Sequence, residues 1–585
     1  MKMLLATLHA RYIHASLALP AIAAACADLQ NLMIVIREYT INEPTDAILR
    51  RIVAEEADLV AFSCYIWNIE QVLRLAADLR LVQPDVCIVV GGPEVSSGAY
   101  ELLAAHPALD AVVRGEGEGP MRALAQALAG AAGRDAFPRL MAGVDGIVYR
   151  DGEEIVATPA APATVELDRF PSPFAAGLVD LRKPLVYYES SRGCPFSCAY
   201  CMSSLEPGVR VWSPGRVRSD LAILLERQVK VVKFVDRTFN FDAVRANELW
   251  RYLLEHNRTS TFHFEIAADL LTDANLALLR EVPDGLFRFE IGVQSTAADT
   301  LERVTRTSDL GRLAENVRRL LAETRITVHL DLVAGLPGED YEGFLGSLAL
   351  LLSLGPHHIQ VEPLKLLKGT AMRRIAEREG YVWSGTPPYK ILRTPDLSYR
   401  EIVRIETIAR LLDLYYNSGR FGTALAQIGA LVPPVTFWDR CAAFPAWEET
   451  ASHLSLRDQF ELFWQAAEAI VPAEGHEAVR DALRFDYCRT GYPAGKLPSF
   501  FPPGAADAPA AAAGGAHRQA RLMVGDREGK VRGFSGRFAR DYRVAGWPAG
   551  PVELVFAYLS APDRGERVFV ERADAPPDRV AAAAV

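Results

Sequence analysis

Arg192-Gly193-Cys194-Pro195-Phe196-Ser197-Cys198-Ala199-Tyr200-Cys201 spaces three cysteines as C-x₃-C-x₂-C, just after the strand-like run Leu185–Ser190. Thiolates set this closely in one loop converge on a soft-metal centre. Their number discriminates between centres. A structural zinc ion closes its sphere with four protein ligands, whereas three cysteines leave one iron of a [4Fe–4S] cubane open to another ligand. A zinc site completed by a remote Cys or His is the bland alternative, and no fourth ligand is evident near the triad. The chain of 585 residues holds only eight cysteines, too few for a disulfide scaffold. Cys194, Cys198 and Cys201 therefore read as metal ligands in a reducing compartment.

Five more strand-like runs follow the cysteine loop: Val231–Val235, Thr261–Ile266, Leu286–Val293, Ile326–Val333 and His358–Pro363, each pair spanned by a helical stretch. With Leu185–Ser190 they make six parallel strands, enough for a partial (β/α)6 barrel. Such barrels place their chemistry at the carboxyl ends of the strands. Polar residues mark those ends here. Asp236 and Asn240 close the second strand, Glu265 the third and Gln294 the fourth, with Arg306 twelve residues further on and Asp331 at the fifth. Any one of these alone is commonly a solvated or salt-bridged side chain, and Asp236 and Asn240 would equally serve an Asx turn.

Ahead of this series, Lys2–Leu8, Leu32–Glu38, Leu59–Cys64, Val86–Val90 and Ala111–Arg114 alternate with amphipathic runs such as Thr45–Glu56 and Ile69–Val82. The alternation predicts an α/β, doubly wound, Rossmann-like sheet. Gly91-Gly92-Pro93-Glu94 and Arg114-Gly115-Glu116-Gly117-Glu118 follow its last two strands, where glycine lets the backbone approach a ligand. Neither is a G-x-G-x-x-G fingerprint. A hairpin turning at Asp151-Gly152 and a proline-rich linker come next. From about residue 395 the pattern becomes mostly helical and rich in aromatics, followed by the Ala/Pro/Gly-rich stretch Pro502–Gly515 and strand-like pieces at Gln519–Val524 and Val552–Tyr558. The expected division is 1–165, 180–395, 396–565 and a tail at 566–585.

The 63 basic and 73 acidic residues leave a formal net charge of −10, which speaks against a general nucleic-acid binder. The first residues lack the apolar length and cleavage site of a signal peptide, and no uncharged stretch is long enough to span a membrane. The expectation is a cytoplasmic protein with no membrane or nucleic-acid partner.

The cysteine motif resembles that of the radical S-adenosylmethionine (SAM) superfamily. In that family the open iron chelates SAM, and an electron from the cluster splits the sulfonium bond to give a 5′-deoxyadenosyl radical. The strand-end set is similar to the branch containing oxygen-independent coproporphyrinogen oxidase and the methylthiotransferases. The resemblance implies that Glu265, Gln294, Arg306 and Asp331 contact SAM and that Tyr200 lies beside the adenine. Arg306 would take the carboxylate, Gln294 and Asp331 the ribose hydroxyls, and Glu265 the amino group.

Set before such a barrel, the two glycine-bearing loops resemble the cobalamin (B12)-binding domain of B12-dependent radical SAM proteins, relatives of the anaerobic Mg-protoporphyrin monomethyl ester cyclase. The resemblance implies cobalamin held by Ser63, Tyr65, Gly91, Gly92, Pro93, Glu94, Gly115 and Glu116, with a flat macrocycle stacking on Tyr65 or Trp67. The Asp-x-His-x-x-Gly ligand loop of other cobalamin domains is missing, so His9 and His14 read as polar residues at a strand end. Tyr415-Tyr416-Asn417, Arg484-Phe485-Asp486-Tyr487 and Gly491-Tyr492-Pro493 resemble an uncharacterised helical module appended to some of these proteins, expected to close the barrel mouth.

The expected function is SAM cleavage at a [4Fe–4S] cluster, with cobalamin-dependent methylation of an unactivated carbon of a small molecule, or ring-forming chemistry. A reducing partner such as flavodoxin or ferredoxin is implied. The alternatives are methylthio transfer, for which the first domain offers only the scattered Cys26, Cys64 and Cys87, and a non-catalytic redox sensor.

Overall fold

The computed structural model describes residues 1–12, 14–129, 137–206, 208–444, 447, 454–493, 495–502, 510–524, 529–561 and 565–574. It forms two compact units: Met1–Gly343 with Pro363–Tyr399, and Phe344–Glu362 with Arg400–Val585.

The first unit opens with β1 (Lys2–His9), β2 (Met33–Thr40), β3 (Leu59–Ser63), β4 (Cys87–Gly91), β5 (Ala111–Val113), β6 (Ile147–Asp151) and β7 (Glu154–Ala157). They form one sheet in the order β2-β1-β3-β4-β5-β6-β7. The runs from β1 to β5 pair in parallel, as strands apolar on both faces must when helices cover both sides. Leu4, Phe62, Val90 and Val112 pack on one face, and Met3, Leu5, Val89 and Ala111 on the other. The predicted hairpin joins the same sheet antiparallel to β5. The strand order reverses between β1 and β3, and sheets of this kind take their ligands outside the carboxyl ends flanking that switch. His9 and Ser63 end those strands.

The second sheet of this unit carries the cysteine loop. Its strands are β8 (Leu185–Tyr188), β11 (Val231–Phe234), β12 (Thr261–Ile266), β13 (Phe287–Gln294) and β14 (Thr327–Ala334), while β9 (Ser191–Cys194) and β10 (Gly208–Val211) form a separate hairpin between β8 and β11 in the chain. The main strands pair in parallel from β8 to β14. The sixth predicted strand forms too, as β15 (His358–Pro363), all but its last residue belonging to the second unit. Alternation along these strands is strict. Phe262, Phe264, Phe287, Phe289, Val328 and Leu330 are buried beneath the helices, with the Trp250 ring 5.5 Å from that of Phe289. The intervening positions face the interior, and many of them are polar.

In the second unit, helices at Gly422–Gly429, Pro434–Ala442, Leu456–Ile470 and His476–Thr490 pack around Tyr415, Phe421, Phe437, Phe460 and Phe463. The Phe421 and Phe460 rings stack at 4.0 Å. A further element corrects the sequence reading. Gln519–Val524 belongs to a helix, Ala510–Val524, not to a strand. That helix lies against a three-stranded antiparallel sheet of Lys530–Arg540, Ala549–Ala561 and Gly565–Arg572. The last strand runs into the stretch read as a tail, while 503–509 and 575–585 lie outside the described residues. Among the described residues, no helix is long and apolar enough to cross a membrane.

Candidate active site at the cysteine loop

The cysteine loop is held by its main chain. The Ala199 N–H donates to Val304 O at 2.8 Å, and the Ala199 carbonyl accepts from Met372 N–H at 2.9 Å. Gly193 is the tightest point. Its φ of +86° is left-handed, and a Cβ there would lie 2.0 Å from the Gly208 carbonyl oxygen across the β9–β10 hairpin. Only glycine fits. Behind the loop, fully buried Asp236 accepts from Ser190 N–H at 2.9 Å and from both the Ser190 and Ser191 hydroxyls at 2.5 Å. Asn240 brackets Ala267, donating to its carbonyl at 2.8 Å and accepting from its N–H at 2.9 Å. These two strand-end residues therefore brace loops, in keeping with the turn-closing role weighed for them.

The thiols sit among donors. Cys201 Sγ accepts from Ser203 N–H at 3.4 Å, and Cys194 Sγ lies 3.5 Å from Thr238 Oγ1. Among the described residues no three His, Cys, Asp or Glu side chains gather closely enough to share one ion. A four-iron cluster asks for something different, since each thiolate takes its own iron at a separate corner.

Of the residues expected to contact SAM, Arg306 reaches this loop, and Arg306, Gln294 and Asp331 come together around Gly292. Arg306 donates from Nη1 to Cys198 Sγ at 3.6 Å and to Tyr200 Oη at 3.4 Å, and from Nη2 to the Gly292 carbonyl. Its Nε is buried without a hydrogen-bond partner among the described residues. A buried guanidinium with a spare donor suits an anionic group beside the cysteines. Gln294 ends β13 with φ of +73°, at an irregularity in the pairing with β14. Its amide folds over Gly292, whose Cβ, if present, would lie 2.1 Å from Gln294 Nε2. Backbone strain of this kind survives only where packing enforces it. Asp331 stands opposite Gly292 in the β13–β14 register. Burial raises the Glu265 carboxyl to about 7, and the negative Glu290 adds to the effect against the pull of Lys233. An open cleft of about 760 Å³ borders the loop, lined by Phe196, Asp269, Arg306 and Asp309 among others.

A polar inner layer lies on the same strands, and sequence reasoning missed it. Lys233 donates to Glu290 at 3.0 Å and stands 3.8 Å from Glu265. His263 lies 2.9 Å from Glu290, and its ring is 5.8 Å from that of His329. Burial opposes ionisation of Glu290, yet His263 and Lys233 outweigh it and hold the carboxyl down to about 2. Period-two spacing of polar residues inside otherwise apolar strands (His263 and Glu265, Arg288 and Glu290, His329 and Asp331) was the available signal.

In the first domain, Tyr65 and Trp67 stack on each other at 4.5 Å with ring planes 4° apart, and Trp67 stays 45 % exposed. Gly115 (φ +73°) has nothing within 4 Å of its would-be Cβ, whereas Gly92 would strike the Cys64 carbonyl at 2.6 Å. A stacked aromatic pair past the carboxyl end of β3, with one ring exposed and an open glycine past β5, suits a flat macrocycle. Ser63 is buried, its carbonyl accepting from Asn68 at 3.1 Å. Gly91 ends β4, and Pro93 begins a short helical turn. Glu94 and Glu116 are engaged elsewhere: Glu94 pairs with Lys368 at 2.8 Å, and Glu116 with Arg210 at 2.6 Å. His9 pairs with Glu38 at 2.9 Å, and His14 Nδ1 lies 3.3 Å from Tyr187 Oη. Burial first, then the neighbouring His9, lowers the pKa of His14. Cys64 packs on one face of the first sheet and Cys26 and Cys87 on the other. That separation gives a second cluster of the methylthiotransferase kind no site among these three.

Fold and site together set a Rossmann-like domain ahead of a cysteine-bearing parallel sheet. Residues 3–125 match the B12 binding domain family and residues 188–351 the radical SAM superfamily. The chain thus carries a domain of the B12 binding family ahead of a domain of the radical SAM superfamily. Residues 377–511 match a family described as a protein of unknown function (DUF4080). Among curated relatives, 2-(S-pantetheinyl)-carbapenam-3-carboxylate methyltransferase of Streptantibioticus cattleyicolor is 27% identical over 346 residues, covering 56% of this chain and 49% of that one. The cobalamin-dependent radical SAM methyltransferase TokK of Streptomyces tokunonensis is 26% identical, covering 58% and 51%. Anaerobic magnesium-protoporphyrin IX monomethyl ester cyclase of Rubrivivax gelatinosus is 26% identical, covering 51% and 54%. The chain spans about half the length of these relatives. The fold is shared with OxsB, a cobalamin-dependent SAM radical enzyme solved with aqua-cobalamin and SAM (TM-score 0.57, 14% identity, 83% and 78% covered). It is shared too with the methyltransferase TsrM from Kitasatospora setae, solved with cobalamin and a [4Fe–4S] cluster (TM-score 0.54, 16% identity, 83% and 99% covered).

Proposed function

We propose that the protein is a cobalamin-dependent radical SAM enzyme that methylates an unactivated carbon of a small-molecule substrate. The observation that carries this reading is the Arg306 guanidinium, buried with a spare donor against Cys198 and Tyr200, in one compact unit with a B12-binding domain. When bound, the cluster and SAM supply hydrogen-atom abstraction, and cobalamin supplies the methyl group. Cys194, Cys198 and Cys201 hold the cluster. Arg306 pairs with the SAM carboxylate, Gln294 and Asp331 orient the ribose, Glu265 faces the amino group, and Tyr200 lies along the adenine. Ser63, Tyr65, Gly91, Gly92, Pro93 and Gly115 form the cobalamin face, while Glu94 and Glu116 serve it from their ion pairs. Ring formation is the second reading, favoured by the likeness to the cyclase of Rubrivivax gelatinosus. A flavodoxin or ferredoxin in the cytoplasm would deliver the electron.

The test is anaerobic purification with iron and cobalt analysis, then incubation with reductant and SAM. The wild type is expected to release 5′-deoxyadenosine and the Cys198→Ala variant to release none. Release that survives the substitution overturns the reading. Absence of cobalt after reconstitution with hydroxocobalamin removes methyl transfer and leaves the cluster chemistry.

A further inference from the structure

The Gly115–Glu118 loop of the first domain and the hairpin that ends in Cys194 are joined by a partly buried ion network. Arg192, two residues before Cys194, contacts Glu118 through Nη2, Glu189 at 2.8 Å and Glu116 at 3.6 Å. On the partner strand of the hairpin, Arg210 pairs with Glu116 at 2.6 Å and with Glu206 at 3.3 Å. The side chains are well covered, Arg192 at 12% and Glu118 at 8% exposure. Charges sequestered in this way are costly unless each keeps its partners, so the network is sensitive to loss of any member. Exposed pairs would contribute little.

A second route reaches the same loop from the other glycine-bearing turn. Glu94 pairs with Lys368 at 2.8 Å and accepts from Tyr389 Oη at 2.5 Å. A few residues past Lys368, the Met372 N–H donates to Ala199 O at 2.9 Å, between Cys198 and Cys201. Both first-domain turns thus pair with side chains of segments that carry or hold the cysteine loop.

We infer that Arg192 is a positioning residue that ties the Gly115–Glu118 loop to the strand bearing Cys194, so that the cofactor sites of the two domains are energetically coupled. The inference rests on the proposed cofactor assignment. Coupling of this kind is reciprocal: whatever the first-domain ligand does to the cluster, the cluster does to that ligand's affinity.

The test uses the full chain, purified anaerobically and reconstituted with iron and sulfide. Cluster EPR and midpoint potential are recorded for the wild type, Glu118→Gln, Arg192→Gln and Arg192→Lys, with hydroxocobalamin affinity from visible titration and melting temperature alongside. Glu118→Gln, in another domain from every ligand cysteine, is expected to shift the cluster's EPR signature and potential. Arg192→Gln is expected to weaken hydroxocobalamin about fivefold or more, and Arg192→Lys to restore part of that loss. A wild type that loads both cofactors while Glu118→Gln leaves the cluster signals unmoved and Arg192→Gln leaves the affinity unmoved overturns the inference. So does a fall in melting temperature alone, which is what mere domain packing would give. Should Arg192→Gln fail to fold, Glu118→Gln and Arg192→Lys decide the matter. A wild type that takes no cluster overturns the functional reading instead. One that takes the cluster but no hydroxocobalamin removes the coupling and leaves Arg192's hold on Cys194 to the EPR comparison.

Discussion

Gly193 and Glu265 show how much of the site turns on single residues. An alanine at Gly193 would carry about 1–2 kcal/mol of left-handed strain, and its Cβ would also collide with the Gly208 carbonyl. Gly193→Ala is expected to splay the β9–β10 hairpin and lower iron content after reconstitution while the far-UV circular dichroism stays near wild type. Full iron occupancy would contradict it. Glu265 lends itself to a pH experiment. Its carboxyl is raised from an ordinary 4.5 to about 7, chiefly by burial and then by Glu290. The folded state therefore holds the proton more tightly than the unfolded chain. The associated stability is complete below about pH 4.5 and lost as pH climbs to about 7. Glu265→Gln escapes that loss, so its stability relative to wild type should be greater at pH 8 than at pH 5 in urea titrations. An equal difference at both pH values would refute the assignment. Glu290, held to about 2, titrates in a lower window and does not mask the effect. These two residues differ in legibility. Glu265 stood out as a polar residue at a strand end, whereas Gly193 became informative only once the hairpin brought Gly208 across from it.

At the scale of elements, the parallel strands were readable because both sheets are built from short, apolar, β-branched runs separated by helices. Thr261–Ile266 and His358–Pro363 match their predicted bounds. The inner polar layer was harder to read, since no single strand contains it. Lys233, His263, Glu290 and His329 lie far apart in the chain and meet only through the cross-strand register. Removing Lys233 would strip Glu290 of an ammonium group 3.0 Å away. Lys233→Met should destabilise by about 1–3 kcal/mol, below the cost for a fully buried pair because the side chains keep some contact with water. The double variant Lys233→Met/Glu290→Gln should lose less than the sum of the single losses, as a urea-denaturation cycle would register. Strict additivity would mean the pair is not coupled. The helix Ala510–Val524 was misread for a local reason. Gln519–Val524 taken alone looks strand-like, and the alanine run that starts the helix was assigned to a linker. Alanine is the strongest helix former, and tertiary packing on the neighbouring sheet supplies the rest.

On the scale of the molecule, the family matches agree with the order of domains read along the chain, B12-binding first and radical SAM second. What the sequence could not show was how one domain grips the other. Acidic residues after glycine turns look like cofactor contacts, and two of those expected to be so, Glu94 and Glu116, are ion-paired to the barrel. If the Tyr65–Trp67 stack is the corrin platform, Trp67→Ala should weaken hydroxocobalamin at least tenfold while leaving iron content unchanged. An unaltered affinity would move the platform elsewhere. The grip of Glu118 on Arg192 also bears on biogenesis. Residues 2–157, the whole first sheet, leave the ribosome before the cysteine hairpin is made, and domains tend to fold in that order. The newly translated hairpin therefore meets a first sheet already made, and the cluster proposed for its cysteines would be built into a loop already anchored. A nascent chain deprived of that sheet would offer its thiols to oxygen before metal could reach them.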